Sequence, residues 1–174
     1  SFYGAKAAGI FGLAYGMINL PMDLIGQSVA QVYYAEISKY GKNNPQKIYN
    51  LSVSIIKKMF WIGLIPLGII AAFGPWIFEL VFGTEWLDAG VYARILSILI
   101  LFRFVSSPVM NSLNVMEKQG IQLWLNLLRV ILVFIIFYLA NKTGFSAVNA
   151  LIVYSVSIAF FYLYVIIKTL KLLK

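Results

Sequence analysis

The sequence predicts an all-α fold, a polytopic transmembrane helix bundle of about five spans. Three observations carry this expectation. Of 174 residues, 61% are hydrophobic and 11% are charged, whereas soluble domains run at about 45–50% and about 25%. Mean hydropathy is +0.87. The apolar residues fall into five long blocks parted by short polar segments, and at about 20 residues per span the length allows about six spans at most. Cysteine and histidine are absent, which excludes Cys or His nucleophiles, His general bases, zinc sites and disulfides.

The blocks cover roughly 7–38, 51–82, 90–114, 120–140 and 147–170. The first two exceed the bilayer thickness, so each should tilt, kink or extend beyond the membrane. Pro21, Pro66 and Pro108 lie inside the first three blocks, and each removes a helix hydrogen bond. In the second block Gly74-Pro75 is expected to end the spanning part, leaving Trp76–Phe82 as a short amphipathic interfacial helix. The fourth block follows the neutral turn Glu117-Lys118-Gln119-Gly120. The aromatics of the fifth (Tyr154, Phe160, Phe161, Tyr162 and Tyr164) read as lipid or packing contacts. No strand pattern or short-period repeat is visible. Residues 1–174 read as a single transmembrane domain. The chain opens Ser-Phe-Tyr-Gly-Ala-Lys, without Met or a basic n-region, and is expected to be a fragment.

The 14 basic and 6 acidic residues leave a net charge of +8. In a soluble chain this would suggest nucleic acid; here it reads as topology, and no nucleic-acid partner is expected. The first connection holds Lys39, Lys42, Lys47, Lys57 and Lys58 with Glu36. The second holds Glu79, Glu85 and Asp88 with Arg94, and Lys168, Lys171 and Lys174 close the chain. The spans alternate consistently if the first and third connections and the C-terminus are cytoplasmic. Trp61, Trp76, Trp86 and Tyr40 fit the interfacial belts. The lysines between 39 and 58 read as topology signals and contacts to anionic membrane lipids.

The polar residues within the spans carry the functional reading. Asn19, Asp23, Gln27 and Gln31 recur every four residues and form one slowly rotating stripe. Ala8, Gly12 and Gly16 continue that face with a spacing that permits close helix approach. Arg103, Ser107, Asn111 and Asn114 fall within an arc of about 80°, and Gln122, Asn126 and Arg129 within about 60°. With the orientation above, all three stripes occupy the middle and cytoplasmic half of the bilayer. They suggest a water-filled cavity open to the cytoplasm and closed beyond by apolar packing. A charge at mid-membrane costs about 2.5–3.5 kcal/mol, so Asp23, Arg103 and Arg129 need partners or water. Three readings stay open: Arg129 snorkels to the interface; Asp23 pairs with an arginine; or the arginines draw in an anion, whose phosphate geometry guanidinium matches.

Gly-Ile-Phe-Gly-Leu-Ala-Tyr (9–15), Leu-Pro-Met-Asp-Leu-Ile-Gly-Gln-Ser-Val-Ala-Gln-Val-Tyr-Tyr (20–34) and Phe-Gly-Pro-Trp-Ile-Phe-Glu-Leu-Val-Phe-Gly-Thr-Glu-Trp-Leu-Asp-Ala-Gly (73–90) together resemble the C-terminal half of bacterial polysaccharide flippases. These are the Wzx-type O-antigen and capsule exporters, in the superfamily that includes the MATE drug exporters. The resemblance implies a two-lobed, twelve-helix protein of the bacterial inner membrane, with a cytoplasmic C-terminus. The five spans would be its eighth to twelfth, and the missing N-terminal lobe a partner from the same chain. It implies flipping of an undecaprenyl-diphosphate-linked oligosaccharide by alternating access, with cationic residues of a central cavity on the diphosphate. Arg103 and Arg129 are the candidates by position and chemistry. Asp23 departs from the small polar residue of many members. No cofactor is expected, and the coupling ion, proton or sodium, stays open.

The nearest rival is a cation-coupled multidrug exporter of the same superfamily, which would favour acidic or aromatic cavity residues. A membrane enzyme is not expected, because the chain lacks histidine, large loops and a reactive constellation. A small structural or assembly membrane protein is the remaining alternative, set against the proline-interrupted spans and the arginines within them.

Overall fold

The computed structural model describes residues 3–174; Ser1, Phe2 and the Lys42 side chain lie outside the described residues. Five long helices follow one another: α1 Gly4–Ser38, α2 Pro45–Phe82, α3 Leu87–Val115, α4 Gln119–Lys142 and α5 Ala147–Leu172. All five are long and apolar enough to cross a membrane, and the described residues contain no strand. The protein is a multi-pass membrane protein.

Local chemistry sets the helix ends. Pro45 opens α2 at a first-turn position, where its missing N–H costs nothing. Gly83, at φ 98°, closes α2 in a conformation that suits glycine. Ser146 caps α5 by accepting the Asn149 N–H at 3.2 Å.

The expected break at Gly74-Pro75 is not there. α2 runs unbroken through Pro66 and Pro75 to Phe82, so Trp76–Phe82 is the last part of α2 and not a separate helix. Tertiary packing explains the continuity. Gly74 lies against Gly90 at the start of α3, where a Cβ on Gly74 would stand 2.7 Å from the Gly90 carbonyl oxygen. Arg94 donates to the Ala72 carbonyl at 2.9 Å, in the turn that Pro75 interrupts.

α3 is the axis of the bundle. Its most apolar stretch is 67% buried, against 17% for α1, α2 and α4 and 44% for α5. α1, α2 and α5 pack along it, and α4 lies on α5. The main core joins Leu96, Ile100 and Phe104 of α3 to Ala14, Met59, Leu67 and Ile158. Large apolar side chains of the outer helices, such as Leu24, Trp61, Trp124 and Phe134, are exposed, as the hydrocarbon phase permits.

A smaller cluster fixes one end. Tyr33, Ile37, Ile48 and Leu173 are buried together against Tyr40, Val115 and Met116. Lys118 Nζ also donates to the Leu172 carbonyl at 3.4 Å. The first connection, the third connection and the C-terminus therefore share one end of the bundle, and it carries the lysines.

Candidate functional site

Midway along α1, Tyr15, Asn19 and Asp23 share one face at four-residue spacing. Arg103 of α3 reaches all three. Its Nη1 donates to Asn19 Oδ1 at 3.0 Å and to the Tyr15 hydroxyl. Its Nη2 donates to Asp23 Oδ2 at 3.1 Å and to Oδ1 at 3.4 Å. Asn19 Nδ2 donates to Asp23 Oδ2 at 2.6 Å. The Asp23 and Arg103 side chains keep 38% and 31% of their surface. Of the readings open for Asp23, the ion pair is what the fold contains. It neutralises two charges that would each be costly alone at this depth.

Beyond the pair, toward the lysine-rich end, the two stripes diverge into an open polar groove of about 400 Å³. Gln27, Gln31 and Tyr34 of α1 and Ser107, Asn111 and Asn114 of α3 line it. Asn111 Nδ2 spans its floor to the Ala30 carbonyl at 3.5 Å. Their side-chain amides and hydroxyls offer hydrogen bonds of both signs to a hydrated ligand.

The α4 stripe behaves differently. α4 lies on α5, with little contact to α3, and Gln122 and Asn126 do not line the groove. The expected convergence of three stripes is thus a convergence of two. Arg129 is tied in through α5: its Nη1 donates to the Tyr162 hydroxyl at 2.8 Å. Among the described residues no carboxylate pairs with Arg129. Each arginine thus meets a tyrosine hydroxyl, Arg103 that of Tyr15 and Arg129 that of Tyr162. Arg103 is compensated by Asp23; Arg129 is held by a neutral hydroxyl and keeps its net charge.

Toward the opposite end the lining is apolar, as expected, but it is not closed. A cleft of about 380 Å³ opens there between α1, α4 and α5, lined by Ala8, Phe11, Val133, Phe137 and Tyr154 among others. Among the described residues the small face of α1 makes no close helix contact at Gly12 or Gly16, where an added Cβ would meet nothing within 4 Å. Close approach occurs instead at Gly26, Gly63, Gly74 and Gly90.

As site residues, Tyr15, Tyr34 and Tyr162 escaped the sequence reading. Tyr15 continues the 19-23-27-31 series one step back, so the same periodicity could have found it. Tyr162 carried no such signal: an aromatic in an apolar helix reads as packing, and it is 5% exposed.

Residues 1–91 match the model of a family described as polysaccharide biosynthesis protein. That stretch holds the α1 polar series, α2 and the Gly74–Gly90 crossing. No curated protein and no solved structure matches the chain.

Proposed function

The chain belongs to the polysaccharide biosynthesis protein family, and from that premise we propose that it forms part of a transporter flipping lipid-linked oligosaccharide across the bacterial inner membrane. The lysine-rich end and the C-terminus face the cytoplasm in this reading. The substrate carries a polyprenyl-diphosphate anchor, and the polar face of α1 and α3 is one wall of its path. The missing N-terminal lobe of the same protein supplies the facing wall. Alternating access of the two lobes moves the headgroup, with no covalent chemistry.

The observation that carries the proposal is the unequal state of the two arginines. Asp23, Asn19 and Tyr15 all accept from Arg103, which holds α1 to α3 at the head of the polar groove. Arg129 has a neutral hydroxyl and no carboxylate as partner among the described residues, and its planar guanidinium suits two phosphate oxygens at once. A drug-exporter reading would need an acidic group free to meet a cationic ligand, and Asp23 is already engaged.

The test uses cells whose surface polysaccharide depends on the protein. Arg129→Ala should lower surface polysaccharide and raise lipid-linked intermediates in the inner leaflet, at normal membrane levels of the protein. Arg129→Lys, which keeps the charge without the planar fork, should fall between. Wild-type export by Arg129→Ala would refute the role given to Arg129.

A further inference from the structure

We infer that the crevice between α1 and α2 is a binding site for an anionic phospholipid of the lysine-rich leaflet, with the lipid phosphate on Lys58. α1 and α2 both pack along α3 and meet each other only sparsely. Phe104 of α3 is the wedge between them: its ring atoms lie 3.4 Å from a Cβ built on Gly26 and 2.9 Å from one built on Gly63.

The crevice has two sections. One, of about 480 Å³, is apolar, with Ile18, Pro21, Ile25, Pro66, Ile70 and Phe78 in its walls. The other, of about 390 Å³, is also mostly apolar, with Val29, Val32, Leu51 and Ile55 in its walls, but it carries Ser28, Ser54, Glu36 and Lys58 as well. The bond between the Tyr33 hydroxyl and Ser52 Oγ, 2.5 Å long, sets the register of the two helices. Five residues back from Tyr33 and six forward from Ser52, at about 1.5 Å each, Ser28 and Lys58 stand at nearly the same level. Lys58 thus sets an ammonium where the second section meets the first, the level at which a lipid with its chain in the first section would carry its phosphate.

The charges fit an anion. Glu36, the one acid in these walls, is taken by Lys39 Nζ at 2.6 Å and the Tyr40 hydroxyl at 3.0 Å. That bond to Glu36 also holds the Lys39 ammonium above the usual lysine range. Among the described residues no carboxylate pairs with Lys58. The crevice is separate from the polar groove. At about 100° per residue, its α1 face (Ile18, Met22, Ile25, Val29) is centred about 150° from the stripe of Asn19, Asp23, Gln27 and Gln31. The occupant is therefore a resident lipid and not the transported headgroup, and the inference stands whatever the groove carries. Lys57, one residue away, lines a different crevice with Phe60, Trp61 and Leu163, which makes it a matched control.

The experiment is native mass spectrometry of the protein released from phosphatidylcholine nanodiscs doped with phosphatidylglycerol. Retained phosphatidylglycerol should exceed phosphatidylcholine. Lys58→Gln should lower its retention about fivefold or more, the effect of one well-placed lysine. Val32→Trp, which fills the crevice without changing charge, should do the same, and Lys57→Gln should leave retention unchanged. Equal losses from Lys57→Gln and Lys58→Gln would reduce the effect to general surface charge and overturn the site. So would equal retention of the two lipids, or efficient cross-linking of two copies through a cysteine at Ser54. Lys58→Gln removes an exposed side chain outside the core, so it decides the matter even if Val32→Trp does not fold.

Discussion

The guanidinium of Arg103 reaches from α3 to the Asp23 carboxylate of α1, with Nη2 3.1 Å from Oδ2, while its Nη1 donates to Asn19 and Tyr15. Removing one member strands the other at mid-membrane, where an unpaired charge is costly. Asp23→Asn and Arg103→Gln should each lower the melting temperature in detergent. The double variant should cost less than the sum of the singles, because the second change removes a charge the first left alone. A double-mutant cycle should give a coupling of about 0.5–3 kcal/mol, the range for residues in direct contact. A coupling near zero would mean that the pair contributes nothing to holding α1 on α3.

The crossing of α2 and α3 rests on two missing side chains. A Cβ on Gly74 would lie 2.7 Å from the Gly90 carbonyl oxygen, and one on Gly90 would lie 2.4 Å from the Pro75 Cα. Both obstacles are backbone and cannot swing aside. Gly74→Ala and Gly90→Ala should each destabilise the protein by about 1–3 kcal/mol or more. Gly12→Ala, which meets nothing within 4 Å, should be neutral or slightly stabilising because alanine favours helix. Thermal unfolding of the three variants checks the ordering.

These examples separate what the sequence discloses from what it conceals. Five spans are legible because membrane insertion writes a strong one-dimensional signal: a long apolar run that needs no knowledge of its neighbours. The polar series from Asn19 to Gln31 is legible for the same reason, as a period along one helix. Partnership is not. Asp23 has two arginines within reach of speculation, and only the packing of α1 on α3 selects Arg103. The continuity of α2 through Gly74-Pro75 is hidden because its causes, Gly90 and Arg94, belong to another helix. Gln122 and Asn126 mislead in the opposite direction: they form a clean stripe, but α4 docks on α5 and keeps them off the groove. Pattern within a helix shows which face is special, and topology decides what that face meets.

Among the described residues, the hydrogen-bond partner of Arg129 is the Tyr162 hydroxyl, at 2.8 Å. Tyr162→Phe deletes the hydroxyl and keeps the ring in its buried place. A hydrogen bond to a charged group contributes about 1.5–3 kcal/mol, so the variant should melt at a modestly lower temperature. If Arg129 must be held in place to meet a phosphate, polysaccharide export should fall severalfold at unchanged protein level. Lost stability with full export would show that Tyr162 supports the fold without positioning Arg129.

Solvent access should follow the two ends of the polar face. Ser107 is exposed and Asn111 half-buried in the groove at the lysine-rich end, whereas Leu99 is 2% exposed inside the core. Single cysteines at 107 and 111 should react with a membrane-impermeant maleimide added from the cytoplasmic side, and a cysteine at 99 should stay unmodified. Asn126 lies off the groove, so a cysteine there should react more slowly than one at 107. Val133 lines the apolar cleft at the other end, so a cysteine at 133 should react, if at all, only with reagent added from the opposite side. Reaction at 107 only from that opposite side would invert the orientation, because the groove and the lysine-rich connections share one end of the bundle. Equal reaction at 99 and 107 would mean that α3 is not the buried axis, and the groove it forms with α1 would lose its floor.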